Sequence, residues 1–384
     1  MKASEICKVC GSKGLVAEAL GICLDCIRGR PGEAINFMEK GHEEARARYG
    51  LPPKPPRTAG GISCQLCSNS CVMGVGEKGF CGLRWNENGS LRSLSDGRRG
   101  LLYAYLDPHI TNCCSAWFCP GGTGAGYPRY SYSKGPEWGY SNLAVFLYGC
   151  NFDCLFCQNP SHKLLKEGET FSVEEFAGWV ERNPKISCIC FFGGSPEPQL
   201  PFAISASEAA VEARGEKPLR ICFEWNGCGD PKLVRRAAEL SLETGGNVKF
   251  DLKCFTQELS LALSGVSNER AYRNFEMVAR ELHPERRDLP LLTATTLLVP
   301  GYVDSKEVEA ISEFIEALDP TIPYGLLIFH PAHRMIDLPV TPLRQVIECY
   351  RASRRHLERV HVGNLGLLGI RDMNQFSIIE SKSP

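Results

Sequence analysis

The sequence predicts an α/β protein in which a cysteine-rich amino-terminal region precedes a partial (β/α)6 barrel of the TIM type. Two observations support this fold class. From residue 142 onward, six apolar, β-branched and aromatic runs alternate with amphipathic helical stretches, and cysteine supplies 20 of the 384 residues, 14 of them before residue 160. Strands alternating with helices of this length favour a parallel sheet. Six such repeats fit an incomplete barrel.

Composition and charge narrow the function classes. A hydrophobic content of 43% is typical of a globular protein, and a formal charge of −1 does not indicate nucleic-acid or membrane-surface binding. The first residues lack an apolar signal segment, and no apolar run approaches ~18 residues, so we expect a cytoplasmic protein without membrane spans. In a reducing compartment, cysteine spacings of the kind found here indicate metal ligands rather than disulfides.

Residues 1–30 predict a zinc-ribbon-like module. Cys7 and Cys10 form one Cys-x2-Cys knuckle, and Cys23 and Cys26 form a second after twelve residues. Four thiolates from paired knuckles make a closed tetrahedral zinc site. A module this small has too little apolar surface to fold alone, whereas structural zinc contributes about 10–16 kcal/mol of apparent folding free energy. Iron in a rubredoxin-like site is the alternative.

Residues 31–60 predict a helix from Pro31 to Tyr49, with its charges on a solvated face, and then a proline-rich linker at residues 51–56. Residues 61–135 follow as a cysteine-rich auxiliary region. Four cysteines within 18 residues indicate zinc or a further [4Fe–4S] cluster, and the spacing does not choose between them. These are Cys64, Cys67, Cys71 and Cys81.

Residues 136–375 contain the predicted barrel. Three helix starts are marked, by the capping box Ser172-x-x-Glu175, by Asp230 before Pro231, and by Asp304. The six predicted strands are residues 143–148, 186–192, 219–225, 248–252, 291–299 and 324–329.

The loop after the first predicted strand carries Cys150, Cys154 and Cys157, at x3 and x2 spacing. Three thiolates from one tight loop hold three irons of a [4Fe–4S] cube and leave the fourth iron open to a small-molecule ligand. A three-cysteine zinc site is the alternative. This loop resembles that of the radical S-adenosylmethionine (radical SAM) enzymes, in which SAM chelates the open iron. Together with the leader segment at residues 64–84, it is similar to the branch of pyruvate formate-lyase activating enzyme, including the AmmeMemoRadiSam-system type.

The resemblance implies roles for residues that follow other strands. Gly193 and Gly194 match a segment whose backbone receives the SAM amino group, although Ser195 stands where glutamate is usual. Asp251 and Lys253 match an Asp-x-Lys motif, in which Lys253 pairs with the SAM carboxylate. Residues two apart on a strand share a face, so both side chains would point into the barrel mouth. The remaining cofactor-binding candidates are Glu224, a partner of Asp251 for a cation or ribose hydroxyls, and His330, which contacts the nucleoside end of SAM.

A third cysteine group departs from the resembled family. Cys113, Cys114 and Cys119 lie in a segment where the relatives have few cysteines, which suggests an auxiliary cluster with His109 or a cysteine from elsewhere as fourth ligand. Buried or redox-active thiols are the alternative, because adjacent cysteines rarely serve one metal. The cysteines in the barrel are expected to be core thiols; they are Cys188, Cys190, Cys222, Cys228, Cys254 and Cys349.

The resemblance implies a radical SAM oxidoreductase that abstracts hydrogen from a substrate through a 5′-deoxyadenosyl radical. The leading hypothesis is an activating enzyme that generates a glycyl radical on a protein, with flavodoxin or ferredoxin as reductant. Modification of a peptide, small molecule or cofactor with the help of auxiliary clusters is a second hypothesis. A multi-cluster electron carrier is a third, although a carrier needs no open iron. No residue is identified as a general base or as facing the substrate.

Overall fold

The computed structural model describes residues 4–111 and 113–383. Its largest element is a nine-stranded sheet, and three two-stranded sheets lie in the amino-terminal region. The strands are β1 (Ser4–Ile6), β2 (Lys13–Val16), β3 (Ile62–Ser63), β4 (Val72–Met73), β5 (Arg84–Glu87), β6 (Ser90–Ser93), β7 (Arg99–Pro108), β8 (Ser141–Leu147), β9 (Glu169–Ser172), β10 (Ile186–Gly193), β11 (Arg220–Trp225), β12 (Val248–Asp251), β13 (Leu292–Leu298), β14 (Tyr324–Ile328) and β15 (Val360–Gly363).

The α-helices of the described residues follow the predicted alternation. They are α1 (Leu24–Gly29), α2 (Pro31–Ala47), α3 (Pro120–Thr123), α4 (Val173–Arg182), α5 (Leu200–Arg214), α6 (Pro231–Thr244), α7 (Gln257–Ser264), α8 (Glu269–Glu281), α9 (Ser305–Glu316), α10 (Leu343–Arg354) and α11 (Met373–Lys382). None of the helices in residues 4–111 and 113–383 has the length and apolarity needed to cross a membrane.

All six predicted strands form, as β8 and β10–β14. They lie side by side in chain order, each parallel to the next, and β15 adds a seventh parallel strand that the sequence analysis did not predict. This confirms the α/β class and the mainly parallel sheet. Strands that follow chain order without reversal wind as in (β/α) barrels, whereas doubly wound sheets reverse their order. The partial barrel and the zinc ribbon stay predictions.

Two antiparallel strands extend the sheet beyond β8. β7 pairs with β8 from Leu102 opposite Leu147 to Pro108 opposite Ser141, and β9 pairs with β7. No strand was predicted here, and β7 lies inside the range expected to be a cysteine-rich region. The main sheet therefore begins at residue 99, before the predicted domain boundary at residue 136.

The three marked helix starts are confirmed. Ser172 and Glu175 form the reciprocal capping box of α4, the Asp230 carboxylate accepts two backbone N–H groups at the start of α6, and Asp304 accepts the Glu307 N–H at the start of α9. Helices α4, α5 and α8 pack against the sheet through a fully buried aromatic core that includes Phe176, Phe191, Phe202, Phe223, Trp225, Phe250 and Phe275.

Candidate functional site

Three candidate ligands lie together on the loop that follows β8. Cys150 is buried, and Cys154 and Cys157 are half-buried. The Cys150 sulfur accepts the backbone N–H of Phe152 at 3.3 Å, and the Cys154 sulfur lies 3.3 Å from the Ser264 hydroxyl. The loop thus presents three thiols, two of which are held by hydrogen bonds to neighbouring groups.

The distances between sulfurs separate this loop from the first cysteine group. A single tetrahedral ion with metal–sulfur bonds of about 2.3 Å places its sulfurs about 3.8 Å apart. Cys7 and Cys26 are 3.8 Å apart, as are Cys10 and Cys23, and all four sulfurs lie within 4.8 Å of one another. The three sulfurs of the β8 loop do not all lie within that distance of one another. They fit a cluster, in which each thiolate binds a different iron.

A buried carboxylate lies inside the cysteine loop. Asp153 is fully buried, and its oxygens lie 2.8 Å from His42 Nδ1, 2.5 Å from Lys163 Nζ and 3.5 Å from the Arg46 guanidinium. Burial alone would raise the pKa of Asp153, but these groups hold it well below its usual range. His42 and Arg46 belong to α2, so this helix anchors the loop. The prediction that the charges of α2 lie on a solvated face is wrong for Arg46, which is buried against Asp153.

The glycine pair after β10 packs against the start of the cysteine loop. Gly193 has φ +107°, and a Cβ there would lie 2.6 Å from the backbone nitrogen of Leu147. A Cβ on Gly194 would lie 2.2 Å from the carbonyl oxygen of Gly149. Backbone packing alone therefore requires both glycines. Their role in binding SAM stays a prediction.

A polar network joins the ends of β8, β10 and β11. Ser195, after β10, accepts the backbone N–H of Asn226 at 3.2 Å and its side-chain amide at 2.9 Å. The same amide donates to Asn151 Oδ1 at 2.7 Å, inside the cysteine loop. The carboxyl ends of three neighbouring parallel strands thus meet at one polar centre, as in barrel enzymes. Neither Asn151 nor Asn226 was predicted as a site residue.

Charged side chains line one face of β11 and β12. Lys253 Nζ lies 3.2 Å from Asp251, although β12 ends at Asp251 and Lys253 lies in the loop after it. Lys249, within β12, lies 3.2 Å from Asp251 and 3.0 Å from Glu224. Burial alone would lower the pKa of Lys253. The negative charges of Asp251 and then Cys154 outweigh burial and raise the pKa above its usual value, so the ammonium stays charged. Lys249 was not predicted as a site residue, although its position two residues before Asp251 placed it on the same face. This row supplies a fixed cation for an anionic ligand beside the cysteine loop.

His330 follows β14 and is half-buried. Its Nδ1 lies 3.3 Å from the carbonyl oxygen of Pro331, a local contact that leaves Nε2 for a ligand. The assignment of His330 to the nucleoside end of SAM stays a prediction.

The second cysteine group is docked beside this site. Backbone hydrogen bonds join Ser68 N–H to the Cys228 carbonyl at 2.8 Å and Asp230 N–H to the Leu66 carbonyl at 3.0 Å. The four candidate ligands line one cavity, and their sulfurs do not all lie within 4.8 Å of one another, so the arrangement favours a cluster over a single ion; they are Cys64, Cys67, Cys71 and Cys81.

The third group is divided between two surroundings. The Cys114 sulfur accepts from Lys249 Nζ at 3.7 Å, next to Glu224. Cys113 and Cys119 instead line a cavity with His109 and three of the cysteines expected to be core thiols, Cys188, Cys190 and Cys222. Glu224 joins the two surroundings, since its carboxylate lies 3.0 Å from Lys249 and 3.4 Å from the Cys113 sulfur, but of the two adjacent cysteines only Cys113 lines this cavity.

The loop after β8, with three separated thiols and a buried cation beside it, defines a class of protein that holds an iron–sulfur cluster and a small anionic ligand. Comparison with known proteins agrees. Residues 144–315 match the family model described as the Radical SAM superfamily. The chain is 35% identical over 178 residues to the isethionate sulfite-lyase activating enzyme of Desulfovibrio desulfuricans, an alignment that covers 44% of this chain and 52% of that enzyme.

Two further relatives extend this result. The chain is 26% identical to the pyruvate formate-lyase-activating enzyme of Staphylococcus aureus, over 48% of this chain and 73% of that enzyme. It is 24% identical to an uncharacterized protein of Methanocaldococcus jannaschii, over 79% of this chain and 81% of that protein. Residues 144–315 therefore form a Radical SAM domain, which supports a radical SAM enzyme with a [4Fe–4S] cluster and SAM, and the chain is similar to the branch of the activating enzymes. The alignments with activating enzymes cover about half of the chain.

Proposed function

We propose that this enzyme abstracts a hydrogen atom from a glycine of a partner protein and so generates a glycyl radical. The observation that carries the proposal is the loop of Cys150, Cys154 and Cys157 at the end of β8, inside the matched domain. The relatives named as activating enzymes support the choice of a protein substrate. With its cluster and SAM bound, such a domain supplies a 5′-deoxyadenosyl radical.

The residues have distinct tasks in this proposal. Cys150, Cys154 and Cys157 hold the cluster. The backbone of Gly193 and Gly194, packed against β8 and the cysteine loop, would receive the SAM amino group, and Lys253 would pair with its carboxylate. His330 orients the nucleoside, and Asp251 and Glu224 hold Lys253 and Lys249 in place. A general base is not required, because the substrate loses a hydrogen atom rather than a proton.

SAM cleavage is tested first. The full chain is reconstituted anaerobically with iron and sulfide and mixed with SAM and dithionite, and 5′-deoxyadenosine is measured. We expect the nucleoside from wild type and from Cys349→Ser, a buried cysteine on α10 outside the site, but none from Cys154→Ala. Nucleoside formation by Cys154→Ala would refute the assignment of the open-iron cluster. Absence of the nucleoside in wild type with an intact cluster would favour an electron carrier.

The glycyl step is tested with pyruvate formate-lyase and isethionate sulfite-lyase as trial partners. We expect a stable doublet in the electron paramagnetic resonance (EPR) spectrum of one partner, together with one nucleoside formed per radical. A one-electron donor such as reduced flavodoxin or ferredoxin should replace dithionite. Steady nucleoside formation without a radical on either trial partner would count against this glycyl-activase reaction.

One observation favours a second candidate function. The cavity lined by Cys64, Cys67, Cys71 and Cys81 lies beside the strand ends, and a further cluster there would suit an enzyme that modifies a peptide, small molecule or cofactor and needs an electron acceptor. Loss of product but not of nucleoside in Cys67→Ala would support this reaction. The group of Cys7, Cys10, Cys23 and Cys26 is proposed to bind one structural zinc ion, and rubredoxin-like iron would be recognised by its colour.

A further inference from the structure

A cavity that the proposed function does not use lies among the first halves of β10 and β11. Five cysteines line it: Cys113, Cys119, Cys188, Cys190 and Cys222. Cys190 lies opposite Cys222 in the register of the two parallel strands. Cys113 and Cys119 come from the segment between β7 and β8, which folds back onto this end of the sheet. Residues far apart in sequence thus bring five thiols to one cavity.

Some of these thiols have the environment found at the proposed cluster ligands. In the β8 loop, the Cys150 sulfur accepts the N–H of the residue two positions later, Phe152. The Cys113 sulfur accepts the N–H of Ser115 at 3.4 Å in the same way. Hydrogen bonds from backbone N–H groups stabilise sulfur in its deprotonated, metal-bound form and are a regular feature of cluster sites.

The other two loop and strand cysteines are placed by the fold. Cys222 lies on β11 directly opposite Cys190 of β10. Cys119 is the residue before α3, in the segment that lines the same cavity.

The two cysteines of β10 differ in their contacts. The Cys188 thiol donates to Asn142 Oδ1 at 3.2 Å and lies 3.7 Å from His109 Nε2, so its proton has a partner. The side-chain oxygen of Asn142 can accept this hydrogen bond only while the Cys188 thiol stays protonated. Cys190 lies beside Cys222 and makes no such bond. The Cys113 thiol also donates, to Glu224 Oε1 at 3.4 Å, but its sulfur accepts the Ser115 N–H as well, a backbone contact that is not found at Cys188 among the described residues. These contacts favour Cys190 over Cys188 as the fourth ligand.

We propose that Cys113, Cys119, Cys190 and Cys222 hold an additional [4Fe–4S] cluster inside the sheet. A single ion fits less well, because these sulfurs do not all lie within 4.8 Å of one another. Each charged side chain near the cavity has a partner of opposite charge. Arg220 forms a bidentate salt bridge with Glu137 at 2.7 and 2.9 Å. Lys249 lies 3.0 Å from the Glu224 carboxylate that faces Cys113.

The register places this site relative to the first cluster. Cys190 lies opposite Ala144, and Gly193 lies opposite Leu147, where the β8 loop begins. Three residues of a strand span roughly 10 Å. The additional cluster would therefore lie deeper in the sheet, about 10 Å before the loop that holds the first cluster. Cys114 takes no part, because its sulfur faces Lys249.

The test counts iron and acid-labile sulfide in the full chain after anaerobic reconstitution. We expect Cys119→Ala and Cys222→Ala each to lose about four irons per chain relative to wild type. The matched controls Cys114→Ala, the immediate neighbour of Cys113, and Cys349→Ala should lose none. Equal iron in Cys119→Ala, Cys222→Ala and Cys349→Ala would overturn the proposal.

Two further measurements keep the test decisive. Circular dichroism shows whether Cys222→Ala folds. If it does not, the presence of the additional cluster is decided by the iron content of Cys119→Ala, whose substitution lies on the loop, and by the number of reduced-cluster EPR signals in wild type. Cys188→Ala tests the choice of fourth ligand: iron retained there and lost in Cys190→Ala is expected, and the reverse result would overturn the assignment of Cys190. The outcome is independent of the proposed function, since Cys154→Ala should abolish SAM cleavage and keep this iron.

Discussion

The contact between α2 and the cysteine loop makes a quantitative prediction for Asp153→Asn. The substitution keeps the shape of the side chain and removes its charge. Arg46 and Lys163, both 1% exposed at the side chain, then remain buried without their carboxylate. Breaking a buried ion pair by removing one partner costs about 3–5 kcal/mol, because the remaining charge is desolvated and uncompensated. We expect a loss of that size in the free energy of unfolding.

The measurement is urea unfolding of the reconstituted protein under anaerobic conditions, followed by circular dichroism. A matched control is Asp96→Asn, whose carboxylate lies 3.6 Å from Arg99 in a pair with both side chains about half exposed. Exposed pairs of this kind contribute less than about 1 kcal/mol. The midpoint should fall for Asp153→Asn and hardly change for Asp96→Asn.

A double substitution tests the cause. If the loss arises from an uncompensated cation, adding Lys163→Met to Asp153→Asn should restore part of the stability, because one of the two buried cations is then removed. Losses that simply add would contradict this explanation. A loss below about 1 kcal/mol for Asp153→Asn alone would refute the whole account of the loop anchor.

Three further predictions concern stability. Tyr302→Phe should cost about 1–3 kcal/mol in urea unfolding, since its hydroxyl accepts the Ala17 N–H at 2.9 Å and donates to the Ile22 carbonyl at 3.0 Å; an unchanged midpoint would contradict this. Arg28→Ala, which breaks contacts of 2.7 Å to Asp304 and Glu307, should speed proteolysis of residues 1–30, and cleavage at the wild-type rate would be contrary evidence. Burial lowers the pKa of His283 to about 4. The stability that its neutral ring contributes is therefore present above pH 6.5 and is lost as the pH falls towards 4. His283→Gln should remove about 3 kcal/mol of the pH dependence of the unfolding free energy, and pH profiles identical to wild type would refute this.

Local sequence patterns predicted the parts of this fold that depend on local interactions. The six strands formed because their runs are apolar and β-branched, and the caps at Ser172, Asp230 and Asp304 formed because each side chain reaches a backbone N–H within three residues. β7 was missed because its residues alternate irregularly between exposed and buried. β15 was missed because only one of its four residues is fully buried, whereas three of the four residues of the equally short β12 are buried.

Contacts between distant segments were not predictable in the same way. The sequence of α2 shows His42 and Arg46 among other charges, and only their partner Asp153, 111 residues after His42, explains why they are buried. The same limit applies to Lys249. Its position two residues before Asp251 on β12 predicted that both side chains lie on one face of the strand. The contact of Lys249 with Glu224, however, depends on the pairing of β11 with β12.

The cysteines show how far spacing along the chain can identify a metal. Cys7-x2-Cys10, Cys64-x2-Cys67 and Cys154-x2-Cys157 have the same spacing. In the first case a second knuckle folds opposite and brings four sulfurs within 4.8 Å, a distance that suits one ion. In the others the remaining ligands come from the same loop or a neighbouring turn, and the sulfurs stay farther apart. The number of metal atoms bound is therefore set by where the third and fourth sulfurs lie, which the two-residue spacing does not determine.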